Sequence, residues 1–246
     1  QLIINGNGES LIFSMNLDTN TSTFKIENSS YITIDSLKIE SSGIKYGDAM
    51  SLNNVTNIVI SNCVFKVDST ANSANISGVR IGQKSERSNL FHVVYPSYFK
   101  DVNFVGNKFY GGGKGIHVSG LLDLTASGFM LNQNSFRGFT ETGIFISSVR
   151  DLMIESNSVH NAKLGYDKTV NGIEVWDCYG LKVNKNAIHK IGVNALFERI
   201  QFTALYIRSY GNYNQSSIVS NNLVYNIRVD SIAIGIYDFG SDNINF

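Results

Sequence analysis

Short runs in which apolar and polar positions alternate recur along the whole chain. In most of them a small residue comes first, and an apolar, a variable and a second apolar residue follow, as in Gly115-Ile-His-Val118. Alternation with a period of two predicts a β-strand with one buried face. The four-residue phrase stands at 78–81, 115–118, 143–146, 172–175, 204–207 and 235–238. The chain is therefore predicted to consist of short, repeated strands.

A second repeated phrase carries an asparagine. The phrase consists of an apolar residue, two variable residues, Asn, one variable residue and another apolar residue. The Asn slot is filled by Asn107, Asn134, Asn157, Asn186 and Asn222. A slot that recurs at fairly even intervals is typical of a solenoid with one repeat per coil. We expect the amide to be structural, since it can bond to backbone groups of the neighbouring coil. In two early coils Leu37 and Cys63 fill the slot instead, and we expect packing to hold those turns.

The two phrases together define a coil with three short strands: one after the small residue, one before the Asn slot and one after it. Stacked coils bury a continuous apolar column between parallel sheets. The predicted fold class is all-β: a right-handed, single-stranded parallel β-helix, a solenoid of about eight to nine coils. No linker divides the chain, so residues 1–246 are predicted to form one domain. No polar cap is visible at either end, and we expect the domain to be covalently continuous with further domains of a longer protein.

Composition adds mainly exclusions. The chain has 20 basic and 20 acidic residues, and its net charge of zero provides no global field to attract nucleic acid or an anionic membrane. No apolar run approaches the roughly 20 residues of a membrane helix, so membrane insertion is not expected. Cys63 and Cys178 are expected to be free thiols, because they lie about four coils apart and a disulfide needs Cα atoms within roughly 7 Å. Many short strands and polar turns suit a secreted or cell-surface solenoid.

The asparagine phrase is similar to the asparagine ladder of the pectate-lyase-like, right-handed parallel β-helix superfamily, and the resemblance covers nearly the whole chain. That superfamily includes polysaccharide lyases, glycosidases, sugar epimerases, esterases, phage tailspikes and adhesin stalks, so the resemblance implies a fold without a single activity. In catalytic members the substrate groove runs along the first strand of each coil, which here is the alternating strand. The implied partner is a polysaccharide or a surface glycan.

Candidate binding residues follow from the alternation of that strand, since every second side chain points outward. One outward position per coil gives the row Lys25, Ser51, Arg80, His117, Phe145, Glu174, Tyr206 and Tyr237. Aromatic and charged side chains gather in the later coils, a combination that suits sugar rings. The predicted substrate-binding residues are Arg80, Phe145, Trp176, Asp177, Tyr206, Arg208 and Tyr237. Outward aromatic residues also form stacking ladders that stabilise sheets without a ligand, and this alternative stays open.

Glu174 and His117 are the candidate catalytic residues. Glu174 is the acid among the central outward positions, with Asp177 in the following turn and Asp167 in the preceding loop. A glycosidase needs two carboxylates facing one bond. A lyase needs a base and neutralising charges, for which the available groups are Arg80, Arg208, Lys114 and His117.

Metal and cofactor sites are not predicted. Three motifs of known members of that superfamily are missing from the sequence: the Asn-Thr-Asp series of polygalacturonases, the Asp-Pro-His of mannuronan epimerases and the acidic calcium cluster of pectate lyases. His160 and His189 occupy equivalent slots one coil apart without accompanying ligands. We expect neither a metal nor another cofactor.

Four long turns flank the alternating strand and are expected to wall a groove, at 83–99, 163–170, 192–203 and 208–216. Three functions remain open. The protein is a polysaccharide lyase or glycoside hydrolase, a noncatalytic carbohydrate-binding domain, or a structural stalk or adhesin segment of a larger cell-surface protein.

Overall fold

The protein is a right-handed parallel β-helix, as the repeats predicted. The computed structural model describes residues 1–13, 22–42, 47–68, 76–84, 94–121, 125–163, 169–192, 201–208, 216–229, 232–239 and 244–245. All regular elements within these ranges are strands. Apart from one short antiparallel pair, the strands pair in parallel with the equivalent strands of the neighbouring coils. This topology confirms the predicted fold class.

Three sheets surround the core, and we number them in the order in which a coil passes through them. Sheet 1 contains Ser77–Ile81, Lys114–Ser119, Thr142–Ser147, Thr169–Trp176, Gln201–Arg208 and Ile232–Phe239. Sheet 2 contains Leu2–Asn5, Phe99–Val105, Ser127–Asn132, Arg150–Glu155, Lys182–Asn184, Ser217–Ser220 and Ile244–Asn245. Sheet 3 contains Ser10–Phe13, Lys38–Ser41, Val64–Val67, Lys108–Tyr110, Ser135–Arg137, Ser158–His160, Ala187–Ile191 and Leu223–Ile227.

Two coils depart from the three-strand plan. The strands Ser22–Asp35 and Asp48–Ser61 each run for 14 residues through sheet 1 and sheet 2 without a break. Their first halves pair within sheet 1 and their second halves within sheet 2, so these two sheets are continuous there. A short antiparallel pair, Gln83–Lys84 with Val94–Tyr95, lies beyond the end of a sheet 1 strand.

The core is a continuous apolar column between the sheets. On sheet 1 the inward residues Ile144 and Ile173 are neighbours in register and are almost completely buried. On sheet 3 the buried rings of Phe109 and Phe136 stack with centroids 4.5 Å apart. Burial of such apolar surface is the main favourable contribution to stacking one coil on the next.

A column of buried asparagines closes the bend between sheets 2 and 3. The backbone N–H of Asn134 donates to Asn157 Oδ1 at 2.9 Å, and Asn134 Nδ2 donates to the same oxygen at 3.0 Å. Asn157 Nδ2 donates to the Leu131 carbonyl and to Asn186 Oδ1, both at 3.0 Å. The pattern also joins Asn107 to the column. Each amide thus pairs backbone groups of an adjacent coil that would otherwise be buried without partners.

Both cysteines are free and buried. In its early coil, Cys63 occupies the Asn slot, and its backbone N–H donates to Asn107 Oδ1 at 2.9 Å. Burial raises the pKa of Cys63 to about 11 and that of Cys178 to about 12. Because the thiolate is the reactive form, neither side chain is a nucleophile at neutral pH.

The small residue that begins the sheet 1 phrase is required by the close approach of neighbouring coils. A Cβ at Gly115 would lie 2.5 Å from the Gly143 carbonyl oxygen and 2.7 Å from the core ring of Phe136. The glycine position therefore faces the interior, and so does the next residue, Ile116, which is fully buried. Two consecutive inward positions interrupt the alternation, so residue 114, one position earlier, joins the outer face.

Candidate functional site

The outer face of sheet 1 carries its side chains in the predicted register. Backbone pairing aligns the row Lys25, Ser51, Arg80, His117, Phe145, Glu174, Tyr206 and Tyr237 across successive coils. A second row, two positions further along the strands, aligns Ser147, Trp176, Arg208 and Phe239. Neighbouring strands of a sheet lie about 4.8 Å apart, so either row presents one side chain per coil at that spacing.

A depression of about 560 Å³ lies on this face, and we call it the sheet 1 pocket. Its lining residues are Lys114, His117, Glu141, Thr142, Phe145, Thr169, Asn171, Glu174 and Trp176. The structure therefore brings together four predicted site residues, namely His117, Phe145, Glu174 and Trp176. Its volume falls within the range of about 300–1,000 Å³ that is usual for small-molecule sites.

Five predicted binding residues lie outside the lining of the sheet 1 pocket. Arg80 stands in the outward row but is buried, only 2% exposed. Asp177 occupies the turn after Trp176, with a left-handed backbone (φ 50°), and its N–H donates to the Arg208 carbonyl. Tyr206, Arg208 and Tyr237 continue the same face over the next coils.

Glu174 is held at the floor of the sheet 1 pocket by two donors. Thr142 Oγ1 donates to Glu174 Oε2 at 3.0 Å, and Asn171 Nδ2 donates to the same oxygen at 2.9 Å. The residue is 8% exposed. Both bonds use Oε2, so Oε1 is the carboxylate atom that is left for a ligand.

A second carboxylate, that of Glu141, lines the sheet 1 pocket and was not predicted. Lys114 Nζ donates to Glu141 Oε2 at 2.9 Å and lies 5.7 Å from the centroid of the Phe145 ring. Glu141 follows sheet 3 and precedes the small-residue phrase, outside the alternating pattern that was used to choose candidates. The interrupted alternation at the glycine brings Lys114, Thr142 and Asn171 to the outer face.

His117 is fixed by a buried ion pair of the preceding coils, whose Arg80 is its neighbour in the outward row. Arg80 Nε donates to Asp48 Oδ2 at 2.9 Å, and these two side chains are 2% and 4% exposed. Arg80 Nη1 lies 2.9 Å from His117 Nδ1. Since a guanidinium can only donate, we assign His117 Nδ1 as the acceptor and place the imidazole proton on Nε2. Arg80 thus acts on the sheet 1 pocket through His117.

The aromatic side chains of this face contact one another in two different ways. Phe145 lies edge-to-face with His117 at 4.8 Å and with Trp176 at 5.4 Å between centroids. Tyr206 and Tyr237, beyond the sheet 1 pocket, are stacked with centroids 5.3 Å apart. The stacking-ladder interpretation therefore fits the two tyrosines, whereas Phe145 and Trp176 line a concave surface.

Two buried polar atoms at the sheet 1 pocket have no hydrogen-bond partner among the described residues. They are Trp176 Nε1, a donor, and Asn171 Oδ1, an acceptor. A buried polar group without a partner costs about 1–3 kcal/mol, so such atoms favour a ligand that supplies the complementary group.

The long turns predicted to wall the groove fall largely outside the described residues. This applies to 85–93, 164–168, 193–200 and 209–215, and so also to the candidate Asp167. No helix in the described ranges is long and apolar enough to cross a membrane. In the same ranges no group of three or more His, Cys, Asp or Glu side chains is arranged to hold a metal ion.

His160 and His189 form part of a ring stack on the outer face of sheet 3. Their imidazoles are parallel with centroids 5.1 Å apart, and His189 stacks in turn on Tyr225 at 4.9 Å. Burial, followed by the nearby charges of His189, Arg137 and Lys190, lowers the pKa of His160 from 6.5 to about 4. Both rings are therefore stacked in their neutral form at pH 7.

Acidification is expected to weaken the fold through His160. Its folded pKa lies below its unfolded value of 6.5, so the unfolded state binds more protons as the pH falls from 6.5 towards 4. The free energy of unfolding should be flat above about pH 7 and fall by about 1–2 kcal/mol by pH 5, allowing for solvent screening of a partly exposed ring. Urea denaturation of the wild type and of His160→Gln measures this. A variant that loses as much stability over the same interval would contradict the assignment to His160.

Comparison with known proteins finds similarity to solved structures. No protein-family model matches the sequence, and a search of curated proteins finds no match. The chain is similar to the A-module of a mannuronan C-5 epimerase from Azotobacter vinelandii, with 13% identity, a TM-score of 0.42 and coverage of 88% of this chain and 62% of that one. For the enzymatically active domain of tailspike protein 2 of bacteriophage CBA120, the values are 12% identity, TM-score 0.38, and 87% and 38% coverage.

Endopolygalacturonase I from Stereum purpureum, solved with two galacturonate molecules, has 14% identity and a TM-score of 0.35, with 96% of this chain and 77% of that one covered. The chain thus spans less than two thirds of the epimerase module and of the tailspike domain. All three are parallel β-helix proteins of the pectate-lyase-like type, and the parallel β-helix of this chain is established by its own strand topology.

Proposed function

We propose that the protein binds a polysaccharide along the outer face of sheet 1, with one sugar unit seated in the sheet 1 pocket. The observation that carries the proposal is the combination of two aromatic side chains, Phe145 and Trp176, with unpaired hydrogen-bonding atoms in one concave surface. Sugar rings present apolar C–H faces and hydroxyl groups, and a site that recognises them needs both kinds of contact.

Each polar group has a definite role in this proposal. Asn171 Oδ1 and Glu174 Oε1 accept hydrogen bonds from sugar hydroxyls, and Trp176 Nε1 donates one. Lys114, already paired with Glu141, adds a cation over the Phe145 ring. Because successive coils repeat this face at the strand spacing of about 4.8 Å, further units of an extended chain can contact Tyr206, Arg208 and Tyr237.

Cleavage of the glycan is a second candidate function, and one observation favours hydrolysis over elimination. Two carboxylates, Glu141 and Glu174, line the same pocket, as glycoside hydrolysis requires. Elimination by His117 is disfavoured, because Nδ1 already accepts from Arg80 and the proton resides on Nε2. In this reading Glu174, which keeps one oxygen towards the pocket, acts on the glycosidic bond. A secreted or cell-surface location is part of the proposal, since that is where such polymers are met.

Trp176→Ala is expected to weaken glycan retention about tenfold or more, because it removes both an aromatic face and a buried donor; a tenfold loss corresponds to about 1.4 kcal/mol. A glycan array followed by affinity measurement on the best ligand tests this. Tyr225→Ala, an aromatic-to-alanine change on the outer face of sheet 3, is the matched control and should leave retention unchanged.

The same samples separate binding from cleavage. If Glu174 is catalytic, the Glu174→Gln variant should still bind the glycan, and product analysis should detect no cleavage products. A protein that retains the glycan without releasing products is a noncatalytic binding domain. Failure of the wild type to retain any glycan would overturn the proposal and favour a structural stalk or adhesin segment.

A further inference from the structure

A second concave surface lies on sheet 3, where its strands end at the bend that leads to sheet 1, and we call it the sheet 3 pocket. Its volume is about 630 Å³, slightly larger than that of the sheet 1 pocket. Its floor is a row of outward side chains from consecutive coils. In the strand register, Lys66 is the neighbour of Tyr110, and Tyr110 is the neighbour of Arg137. Asp68 and Lys163 line it from the bends that follow the strands. It shares no lining residue with the sheet 1 pocket.

The backbone keeps this surface open at its edge. After Tyr110 and after Arg137 the chain bends at a glycine with a left-handed backbone, Gly111 (φ 79°) and Gly138 (φ 76°). Both glycines line the sheet 3 pocket. A left-handed conformation is readily adopted by glycine, and the missing side chains leave room directly beside the tyrosine ring and the guanidinium.

The charges in the sheet 3 pocket favour an anion. Three cations, Lys66, Arg137 and Lys163, line it together with two carboxylates, Glu40 and Asp68. Glu40 is already neutralised, since it is paired with Lys38 and, at 3.1 Å, with Lys66. Arg137 is exposed and forms no ion pair within the part of the chain that the structure describes. A carboxylate or sulfate could therefore be bound by Arg137 in two-pronged geometry without displacing an existing partner.

The remaining lining suits a ring with hydroxyl groups better than a bare inorganic anion. Tyr110 is half-buried between Lys66 and Arg137, and it presents an aromatic ring and a hydroxyl group. Ser41 also lines the pocket, is 4% exposed, and its Oγ is buried without a hydrogen-bond partner among the described residues. An aromatic side chain beside an unpaired cation and an unpaired hydroxyl matches a pyranose that carries an acidic group.

We propose that the sheet 3 pocket is a second carbohydrate site, which binds a negatively charged sugar unit with its acidic group on Arg137 and its ring on Tyr110. The site is separate from the sheet 1 pocket, and the inference does not depend on the function proposed there. A chain with two such sites on different faces can hold two segments of one polymer, or two polymers, at once.

Titration of the ¹⁵N-labelled protein with D-glucuronate, followed by NMR, tests the proposal. We expect saturable shifts of the amide signals of Gly111 and Gly138, and at least tenfold weaker binding of D-glucose, which has the same ring without the carboxylate. Arg137→Gln should weaken glucuronate binding at least tenfold. Lys100→Gln, which removes an exposed cation from sheet 2, is the matched control and should change nothing.

Further arms separate the alternatives. Tyr110→Leu should weaken glucuronate binding and leave any binding of inorganic sulfate unchanged. Equal effects on both ligands, or sulfate binding as tight as glucuronate binding, would show an unspecific anion site and overturn the proposal. So would equal binding of glucose and glucuronate, or an Arg137→Gln variant with wild-type affinity. If Arg137→Gln does not fold, Lys66→Gln takes its place. Trp176→Ala should leave the Gly111 and Gly138 shifts intact, so the two pockets are tested separately.

Discussion

Replacing Asn157 by leucine is expected to lower the free energy of unfolding by about 2–6 kcal/mol, although the leucine side chain has the same branched skeleton of heavy atoms as asparagine. The amide pairs two backbone groups of the preceding coil, the Asn134 N–H and the Leu131 carbonyl, and it also bonds to the amides above and below. Leucine would leave these groups buried without that partner, at about 1–3 kcal/mol for each orphaned backbone group. Urea denaturation, with the midpoint and slope fitted separately, measures the loss.

The matched control is Asn103→Leu. Asn103 lies on the outer face of sheet 2, between the apolar residues Val59 and Met130 of the adjacent coils, so leucine is compatible with its surroundings. This change should stay within about 0.5 kcal/mol of the wild type. If both substitutions cost the same, the amide column does not hold the bend.

Asp48→Asn is expected to cost about 3–5 kcal/mol of unfolding free energy, because it leaves the Arg80 guanidinium buried without a counter-charge. The carboxylate accepts from Arg80 Nε and Nη2 and from the Ser77 backbone N–H, and all three bonds are buried. A neutral amide keeps the shape but loses the charge. Thermal or urea denaturation at pH 7 gives the magnitude.

An exposed ion pair provides the comparison for Asp48. Lys25 and Glu27 are paired at 2.8 Å on the same sheet, with side chains 57% and 36% exposed. Glu27→Gln should cost about 0–1 kcal/mol, as surface pairs usually do. The tautomer of His117 is a second readout. The ¹⁵N chemical shifts of its ring should report a proton on Nε2 in the wild type, and Glu27→Gln should leave these shifts unchanged. A wild-type ring with its proton on Nδ1 would contradict the Arg80 contact.

Much of the fold was predictable from the sequence because its repeats are short and strict. The asparagine phrase gave the bend between sheets 2 and 3, and the alternating phrase gave the outward row that contains His117, Phe145 and Glu174. Both depend on local geometry, a side-chain period of two and a bend that needs an amide, which recurs unchanged in each coil.

The candidate site was only partly predictable. Glu141, Thr142 and Asn171 were missed because alternation stops at the small residue of each phrase, where two successive positions face the core. The close contact between glycines of neighbouring coils causes this interruption, and it depends on how coils stack, which a single repeat does not reveal. The burial of Arg80 was missed for a related reason: its partner Asp48 comes from the preceding coil, 32 residues away.

The column of asparagines also sets the unit in which this chain can change in length. Asn134, Asn157 and Asn186 bond in the same way to the coil on either side, so the bonding of one coil is interchangeable with that of the next. Loss or duplication of a whole coil re-forms every amide contact, whereas loss of residues from the bend itself removes the amide and its bonds to both neighbouring coils. Duplication of complete coils is therefore the route by which a solenoid of this kind can lengthen its outer faces, one side chain per row at a time, without disturbing its interior.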